Sequence, residues 1–380
     1  MLQECEEKGE SVLQVPPRLL MGPGPSNADP RVLRAMATPQ VGHLDPVFLG
    51  IMQQVQSLLR YVFQTRNTLT IPISGCGSAS MEAAFANLVE SGDVVLIFVA
   101  GYFGLRMKDM AERYGGNVVT ASKPWGSVFT LEEISTAIKT HAPKIVGVVH
   151  ADTSTGALQP MEGIGKLCRE SGAFLIMDCV TSLGGVPVLV DEWKVDIAYS
   201  GSQKCLSCPP GIAPITVNDR AFAKIAARNR IPNWYLDLTM VGKYWGLDRT
   251  YHHTAPISMV YALREALMIV RDEGLERRWS RHEENSRFLV EKLESIGLTC
   301  LVPSTHRLPP LISVRVPDGL IAKEVSSYCL NRYNLEIGNG LGELAGKVWR
   351  IGLMGYNCRK ENALACVNIL KEAIAFYKKD

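Results

Sequence analysis

An aspartate and a lysine each follow a short apolar segment in the middle of the chain. Asp178 closes the segment that begins at Ala173, and Lys204 follows Asp196-Ile-Ala-Tyr199 after a few small polar residues. Both segments are continuously apolar, which is typical of buried strands in a parallel sheet. Ligands of such sheets collect at the carboxyl ends of the strands. The acid and the amine are therefore expected to share one crevice.

This pair is what pyridoxal phosphate (PLP) requires of a protein. A lysine forms the Schiff base, and a carboxylate keeps the pyridine nitrogen protonated so that the ring accepts electrons. Taken singly, Lys204 could be a solvated loop residue and Asp178 a helix cap. The interpretation depends on further residues that converge on the same crevice.

A loop of small residues offers a place for a phosphate group. Residues 74–80 read Ser-Gly-Cys-Gly-Ser-Ala-Ser, after a predicted strand and before a predicted helix that begins at Met81. The backbone N–H groups of Cys76, Gly77 and Ser78 would lie at the positive end of the helix dipole. The loop lacks the Gly-Lys-Ser/Thr ending of a P-loop. A lone glycine-rich loop leaves an ordinary turn or a nucleotide-binding module as alternatives.

Side chains after or within other apolar runs could complete such a site. Phe103 or Tyr102 could stack on a planar ring, and Thr153 or Ser154 could bond the ring hydroxyl or the aspartate. Arg350 lies inside an apolar run and must find an anion there. A guanidinium–carboxylate pair is the usual way to hold an amino acid or a keto acid. An internal salt bridge is equally compatible with this arginine.

Two motifs resemble metal sites only weakly. The histidines of Tyr251-His-His-Thr254 are adjacent, point in different directions and lack a third spaced ligand. A phosphate clamp from the Tyr and Thr hydroxyls is at least as good an interpretation. Cys205 and Cys208 form a C-x-x-C without the second pair of a zinc ribbon. No metal is predicted, and a C-x-x-C redox or metal protein is the alternative from a different class.

The composition is that of a soluble globular protein with two domains. The chain has 380 residues, of which 47% are hydrophobic and 21% charged. Its net charge of +2 argues against nucleic-acid binding. No apolar run reaches the roughly 18 residues of a membrane helix. Most of the ten cysteines stand in apolar runs, which fits reduced thiols.

Strand-like runs alternate with helical segments over the first two thirds of the chain. This βαβ pattern predicts a mostly parallel α/β sheet flanked by helices. We expect an arm over residues 1–20, a large domain over 21–273 and a smaller α+β domain over 274–380. The predicted strands of the large domain are Leu69–Ile73, Val94–Val99, Asn117–Thr120, Ile145–Val149, Phe174–Met177 and Ile197–Tyr199.

Nearly the whole chain resembles one family, the class V, fold-type I PLP-dependent aminotransferases of the alanine–glyoxylate (serine–pyruvate) kind. The most specific stretches are Ser-Gly-Ser-Gln-Lys204 and Tyr251-His-His-Thr254. Further stretches that carry the resemblance are Leu19–Asn27, Tyr61–Asn67, Ser154–Gly156, Ser182–Gly185, Pro209–Gly211 and Arg350–Leu353.

The resemblance implies a role for each candidate residue. Lys204 would form the Schiff base and carry the proton, while Asp178 would pair with the pyridine nitrogen. The other implied cofactor contacts are Cys76, Gly77, Ser78 and Gln203 at the phosphate, Phe103 stacked on the ring, and Thr153 near its 3-hydroxyl.

The resemblance also implies a homodimer with its active sites at the subunit interface. Tyr251 and Thr254 would reach the phosphate of the neighbouring subunit. Arg350 would bind the substrate carboxylate, with Gly24 close by. The expected reaction is a ping-pong transfer of the amino group from L-alanine to glyoxylate. Serine as donor, or a lyase or desulfurase reaction on the same fold, are the alternatives.

Four positions depart from the pattern of the animal members. Cys76-Gly77-Ser78 stands where they have Ser-Gly-His, Phe103 replaces Trp, and Thr153 replaces Ser. Backbone donors and an aromatic face survive these changes, so cofactor binding is expected to survive too. The amino terminus lacks a signal-peptide core and the carboxyl terminus lacks a Ser-Lys-Leu peroxisomal address, from which we expect a cytoplasmic enzyme.

Overall fold

The computed structural model describes residues 13–378 and contains strands and helices throughout that range. The strands are β1 (Leu19–Leu20), β2 (Leu69–Ser74), β3 (Val94–Val99), β4 (Asn117–Ser122), β5 (Ile145–Val149), β6 (Ala151–Asp152), β7 (Ala157–Leu158), β8 (Phe174–Asp178), β9 (Ile197–Tyr199), β10 (Ile212–Val217), β11 (Leu311–Arg315), β12 (Leu335–Glu336), β13 (Gly338–Asn339) and β14 (Val348–Gly352). The helices are α1 (Pro30–Met36), α2 (Pro46–Phe63), α3 (Gly77–Leu88), α4 (Tyr102–Arg113), α5 (Leu131–His141), α6 (Ile164–Glu170), α7 (Asp219–Ala226), α8 (Leu238–Trp245), α9 (Ile257–Glu273), α10 (Leu275–Ser295), α11 (Ala322–Tyr333) and α12 (Lys360–Tyr377).

A seven-stranded sheet in the order β2-β10-β9-β8-β5-β3-β4 forms the centre of the fold. Strand β10 runs antiparallel to both of its neighbours, and the remaining neighbouring pairs are parallel. The carboxyl ends of β5, β8 and β9 therefore meet at the same edge. In the register of the sheet, Asp178 at the end of β8 stands beside Tyr199 at the end of β9. The α/β architecture expected from the alternating pattern is confirmed.

Strand β10 is the part of this sheet that the sequence pattern did not predict. It carries a proline, Pro214, and proline inside a run argues against a central strand. The pairing with β9 covers only residues 215–217 of β10, so Pro214 lies beyond it and its missing N–H costs no bond to that strand. On the other side Pro214 faces Pro72 of β2, which is an edge strand.

The carboxyl-terminal part of the chain has its own apolar core. An antiparallel sheet in the order β11-β14-β13 packs against helices that include α10, α11 and α12. Strand β1 pairs with β12, and Met21 is buried in this second core. Gly274 joins α9 to α10 with a φ of +83°, a left-handed conformation that favours glycine. The boundaries at 20 and 273 remain predictions, and residues 1–12 of the predicted arm lie outside the described residues.

No helix within residues 13–378 is both long enough and apolar enough to cross a membrane.

Candidate active site

A cavity of about 160 Å³ opens at the carboxyl edge of the central sheet, where the sequence places Asp178 and Lys204. Strand β8 delivers Asp178 to it, the loop after β9 delivers Lys204, and the first turns of α3 and α4 close other sides. Its lining residues are Cys76, Gly77, Ser78, Met81, Phe103, Arg106, Asp178, Val180, Gln203 and Lys204. Most of the residues predicted to hold a cofactor are thereby brought together.

Asp178 is a buried carboxyl group held by two hydrogen bonds. The backbone N–H of Val180 donates to Oδ1 at 2.9 Å, and the Tyr199 hydroxyl donates to Oδ2 at 3.1 Å. Burial nevertheless raises the pKa of Asp178 to about 7, against the effect of both hydrogen bonds. A cationic N–H placed beside it would favour its charged form. Tyr199 is a contact of this carboxyl group that the sequence pattern did not single out.

Lys204 is 7% exposed, and its amine donates to the backbone carbonyl of Pro23. Burial lowers the pKa of Lys204 to about 8, and the positive charge of Arg350 lowers it further in the same direction. The Ser26 hydroxyl donates to the Lys204 carbonyl at 2.9 Å, and the Ser26 N–H donates to the Gln203 carbonyl at 2.9 Å. The backbone on both sides of the amine is thus fixed by the chain around residues 23–26.

The predicted phosphate loop is shorter than expected, because helix α3 already begins at Gly77 rather than at Met81. Cys76 is the N-cap, and its side chain makes no capping hydrogen bond. The first N–H groups of a helix have no partner within it. Within residues 13–378 no carbonyl or side chain accepts from the N–H of Gly77 or Ser78. These two donors face the cavity at the positive end of the α3 dipole, where an anion is favoured.

Gln203 and Phe103 form further walls of the cavity. The Gln203 Oε1 atom is buried and has no hydrogen-bond partner among residues 13–378. Such an orphaned polar atom in a cavity wall is a feature that a bound polar ligand would satisfy. Phe103 stands in the first turn of α4 and packs partly against the main core. Its ring offers the apolar face expected of a stacking residue.

Arg106 is the charged cavity residue that sequence reasoning missed. It stands three residues after Phe103 on α4, and residues three apart on a helix share one face. That spacing is the signal that could have found it. Its guanidinium lies 4.9 Å from the centre of the Phe103 ring, and Nη1 donates to the Ser78 hydroxyl at 3.2 Å.

Arg350 lies on β14 at the other side of the lysine. Its Nε donates to the Asn339 carbonyl at 2.9 Å and its Nη1 to the Thr153 carbonyl at 3.0 Å. Burial lowers the pKa of Arg350 to about 10, which leaves it cationic at neutral pH. No carboxylate among residues 13–378 forms an ion pair with it, so the internal salt bridge considered as an alternative is not formed. The remaining N–H groups are available to a carboxylate ligand.

Thr153 is buried beside the site rather than in the cavity wall. Its hydroxyl forms a hydrogen bond with the Thr181 hydroxyl, and either oxygen can be the donor. If Thr181 donates, the Thr153 proton remains free for a ligand. The adjacent Asp152 accepts from the N–H of Ser154 at 2.8 Å and shapes the turn that carries Thr153.

Tyr251 and Thr254 lie outside this cavity. Tyr251 is 56% exposed, Thr254 is also exposed, and their hydroxyls are 3.5 Å apart. Neither can therefore contact a ligand bound in the cavity of its own chain. The predicted role of both residues at a neighbouring subunit remains a prediction.

The two histidines between them form a hydrogen-bond chain rather than a metal pair. His252 Nε2 contacts the Trp234 carbonyl at 3.2 Å and must donate to it. His252 Nδ1 and His253 Nδ1 are 2.8 Å apart, and when His253 donates from Nδ1 its Nε2 accepts from the Ser74 hydroxyl at 2.7 Å. Burial lowers the pKa of His253 to about 4, in keeping with a neutral ring. This series of hydrogen bonds connects segment 251–254 to the end of β2, just before the N-terminus of α3.

Cys205 and Cys208 are both buried, and burial raises the pKa of each thiol to about 12. Metal ligation and disulfide exchange both need the thiolate. The surroundings of these cysteines therefore disfavour the C-x-x-C redox or metal interpretation. Within residues 13–378 no three His, Cys, Asp or Glu side chains cluster as metal ligands would.

The residues present fit PLP. Two unpartnered N–H groups at a helix N-terminus suit its phosphate, and a buried carboxyl group without a cationic neighbour in contact suits its ring nitrogen. Lys204 lies in the same cavity with an amine whose pKa is lowered. The orphaned Gln203 oxygen is an acceptor and would need a hydrogen-bond donor, so a contact of Gln203 with the phosphate would come from its amide nitrogen.

Gly24 provides a test of this arrangement, because its φ is +115° and a Cβ there would lie 2.6 Å from the Lys204 amine. We expect Gly24→Ala to lower kcat by about tenfold or more, since displacing a catalytic group by about 1 Å is costly. The control is Gly319→Ala, at φ +80° with open space around it, which carries the backbone strain without the clash. Steady-state kinetics and thermal unfolding of both variants check this. Wild-type kcat in Gly24→Ala would contradict the geometry.

Known proteins resemble this chain over almost its full length. The family described as aminotransferase class-V matches residues 19–362. A crystal structure of an alanine–glyoxylate aminotransferase from Nostoc sp. has 56% sequence identity and a TM-score of 0.96, covering 98% of this chain and 100% of that one. The (S)-ureidoglycine–glyoxylate transaminase of Bacillus subtilis is 43% identical, covering 94% of this chain and 90% of its own. The alanine–glyoxylate aminotransferase of Rattus norvegicus is 42% identical, with 95% and 89% covered. The chain belongs to the class-V family of aminotransferases.

Proposed function

We propose that this chain is a PLP-dependent transaminase that moves the amino group of L-alanine to glyoxylate, giving pyruvate and glycine. One observation carries the proposal: a buried amine and a buried carboxyl group line the same cavity, and a buried guanidinium without an ion-pair partner among residues 13–378 lies close enough to contribute to the lowered pKa of the amine. Lys204, Asp178 and Arg350 supply these groups. The names of the Nostoc and rat relatives support the choice of substrates.

When bound, PLP supplies an aldehyde that exchanges amino groups and a ring that stores the electrons of the breaking Cα–H bond. Lys204 then acts as the base: its Nζ receives the proton from the substrate α carbon and returns it later in the reaction. A pKa of about 8 leaves part of the amine neutral near physiological pH, which a base requires. Asp178, in its charged form, would hold a proton on the ring nitrogen.

Arg350 orients the substrate by its carboxylate. The two protein hydrogen bonds of this side chain go to backbone carbonyls and fix the plane of the guanidinium. A planar guanidinium binds a carboxylate through paired N–H groups, which sets direction as well as affinity. The substrate α carbon would thereby be held on the side of the cavity that faces Lys204.

The phosphate end of the site belongs to α3 and, in this proposal, to a second copy of the chain. Gly77 and Ser78 would donate their backbone N–H groups to the phosphate, and Gln203 would donate an N–H of its side-chain amide. Tyr251 and Thr254, which lie outside their own cavity, would donate their hydroxyls to the phosphate in the partner of a homodimer. The cytoplasmic location remains a prediction.

An assay with L-alanine and glyoxylate tests the proposed reaction. Pyruvate and glycine should form in equal amounts, and double-reciprocal plots at several glyoxylate concentrations should be parallel, as a ping-pong mechanism requires. Serine in place of alanine tests the neighbouring donor specificity. Release of sulfide from cysteine without amino transfer would instead indicate a desulfurase and contradict the proposal.

Replacement of Arg350 by Gln is expected to raise the KM for alanine and glyoxylate by about 10- to 100-fold each, because a charge-assisted paired contact is lost. Arg315→Gln is the control, since Arg315 stands on the neighbouring strand β11 but is exposed. Steady-state kinetics with both substrates give the comparison. Unchanged KM values in Arg350→Gln would assign the carboxylate to another residue.

(S)-ureidoglycine is a second candidate amino donor. The B. subtilis relative named for this substrate is as similar to the chain as the alanine–glyoxylate relatives of rat and mouse are. The ratio of kcat/KM for the two donors, measured on one preparation with glyoxylate as acceptor, decides between them. A ratio in favour of ureidoglycine would change the donor and leave the roles of the cofactor residues intact.

A further inference from the structure

We propose that Arg106 binds the phosphate group of the cofactor and provides the main positive charge that neutralises it. This inference rests on the proposed function and extends it to a residue that neither the motifs nor the relatives' names assign. The starting observation is that Arg106 lines the same cavity as the N-terminus of α3 and donates to Ser78, the residue whose N–H points at the anion site.

The charge of the ligand makes such a residue necessary. A phosphate monoester carries about −1.5 to −2 charges at neutral pH. The N-terminus of α3 contributes the equivalent of roughly +0.5. The side chains proposed for the phosphate, those of Ser78, Gln203, Tyr251 and Thr254, are all neutral. Without a cation nearby most of the phosphate charge would be uncompensated in a partly buried site.

Two cations line the cavity, and Lys204 is committed to the chemistry. Arg106 remains, and no carboxylate among residues 13–378 forms an ion pair with it. By contrast, its neighbours Lys108 and Arg113 on the same helix pair with Glu112 and Asp109. Burial is the main cause of the shifted pKa of both Asp178 and Lys204, and the charge of Arg106 adds a smaller lowering contribution to each, so its field extends into the site.

The position of Arg106 is set by its neighbours before any ligand arrives. Its guanidinium lies 4.9 Å from the centre of the Phe103 ring and 5.4 Å from that of Tyr102, a cation–π arrangement. The hydrogen bond to the Ser78 hydroxyl uses one Nη1 proton. The other guanidinium protons remain for phosphate oxygens. A preformed donor of this kind loses little side-chain entropy when the anion binds.

The test compares PLP with pyridoxal, which has the same ring and aldehyde but no phosphate. Dissociation constants of both are measured on the full-length chain freed of cofactor, by visible absorption or tryptophan fluorescence, for the wild type, Arg106→Gln, Arg106→Lys and the control Arg113→Gln. Arg113 is exposed on the same helix and forms an i,i+4 pair with Asp109. Thermal unfolding checks that each variant is folded.

We expect Arg106→Gln to weaken PLP binding about 10- to 100-fold while pyridoxal binding changes by less than about twofold. Arg106→Lys should retain part of the PLP affinity, and Arg113→Gln should match the wild type. An equal loss of affinity for PLP and pyridoxal would show that Arg106 only shapes the pocket. An unchanged affinity for PLP would show that Arg106 pairs with another group, such as a carboxylate of a partner subunit. Either result overturns this inference alone. Failure of the wild type to bind PLP would instead overturn the proposed function.

Discussion

Replacement of Lys204 by Ala is expected to lower the rate of transamination by at least about 10⁴-fold. The amine is both the group that receives the substrate proton and the attachment point of the cofactor, so two contributions are lost together. Steady-state assays with L-alanine and glyoxylate measure the loss. The folded structure should survive, because removal of a buried amine with a lowered pKa removes a desolvation cost along with its contact to Pro23.

The control for Lys204→Ala is Lys166→Ala, at an exposed lysine of α6 that forms a weak i,i+4 contact with Glu170. This variant should keep wild-type kinetics and stability. Thermal unfolding of both variants separates loss of chemistry from loss of fold. Substantial transamination by a folded Lys204→Ala variant would contradict the role given to the amine.

Replacement of Asp178 by Asn is expected to lower kcat by about 10²- to 10³-fold. Asparagine keeps the size of the side chain but lacks the negative charge that would hold a proton on the ring nitrogen of the cofactor. The hydrogen bond from the Val180 N–H can persist to the amide oxygen, so the local backbone should be retained. Kinetics and the affinity for PLP measure the effect, and both should fall.

Asp196 offers a matched buried carboxylate away from the cavity. It stands before β9, is fully buried, and pairs with Arg220 at 2.9 Å. Asp196→Asn should lower the free energy of unfolding by about 1.5–3 kcal/mol, because it weakens the charge-assisted hydrogen bonds to Arg220, whose side chain is 33% exposed. The kcat of the folded fraction should not change. If Asp178→Asn behaved in this way, with lost stability and unchanged kcat, Asp178 would be structural.

The same Asp178→Asn variant tests the raised pKa of the carboxyl group. In the chain freed of cofactor, burial raises the folded-state pKa of Asp178 to about 7 from its ordinary value of 3.8. Between these values the folded protein holds a proton that the unfolded chain has lost. The free energy of unfolding should therefore fall with rising pH across this window, by up to about 1.4 kcal/mol per unit. This contribution should be absent in Asp178→Asn, and equal slopes in both proteins would contradict it.

The predictable part of the fold is the part that is periodic and apolar. All six strands predicted for the large domain are present. Five of them are mostly buried apolar runs, whereas the edge strand β4 is partly exposed. The sequence pattern does not predict strand β10, because Pro214 interrupts the run. The position of β10 between β2 and β9 depends on pairing with strands that are distant in sequence. The sequence predicts that α3 begins at Met81, because glycine and serine are weak helix formers. In the structure the helix begins at Gly77, and glycine and serine occupy its first turn.

The predictable part of the site consists of residues that stand out against their local sequence. Lys204, Asp178 and Arg350 are charges at or inside apolar runs, and such charges need a partner. Arg106 does not stand out, because it lies on the polar stretch of an amphipathic helix among other charged residues. Tyr199 resembles any buried aromatic residue of a strand. Their relation to the cavity follows from tertiary packing, which brings α4 and β9 to the same edge of the sheet.

The visible absorption of the purified protein tests the central claim most directly. The spectrum is recorded with PLP present, then after addition of L-alanine, and then after addition of glyoxylate. The proposed function predicts a visible band that fades with alanine and returns with glyoxylate, and that is absent from Lys204→Ala. A band that alanine leaves unchanged would contradict alanine as the donor. The absence of any such band in the wild type would contradict the assignment of Lys204 as the residue that holds the cofactor.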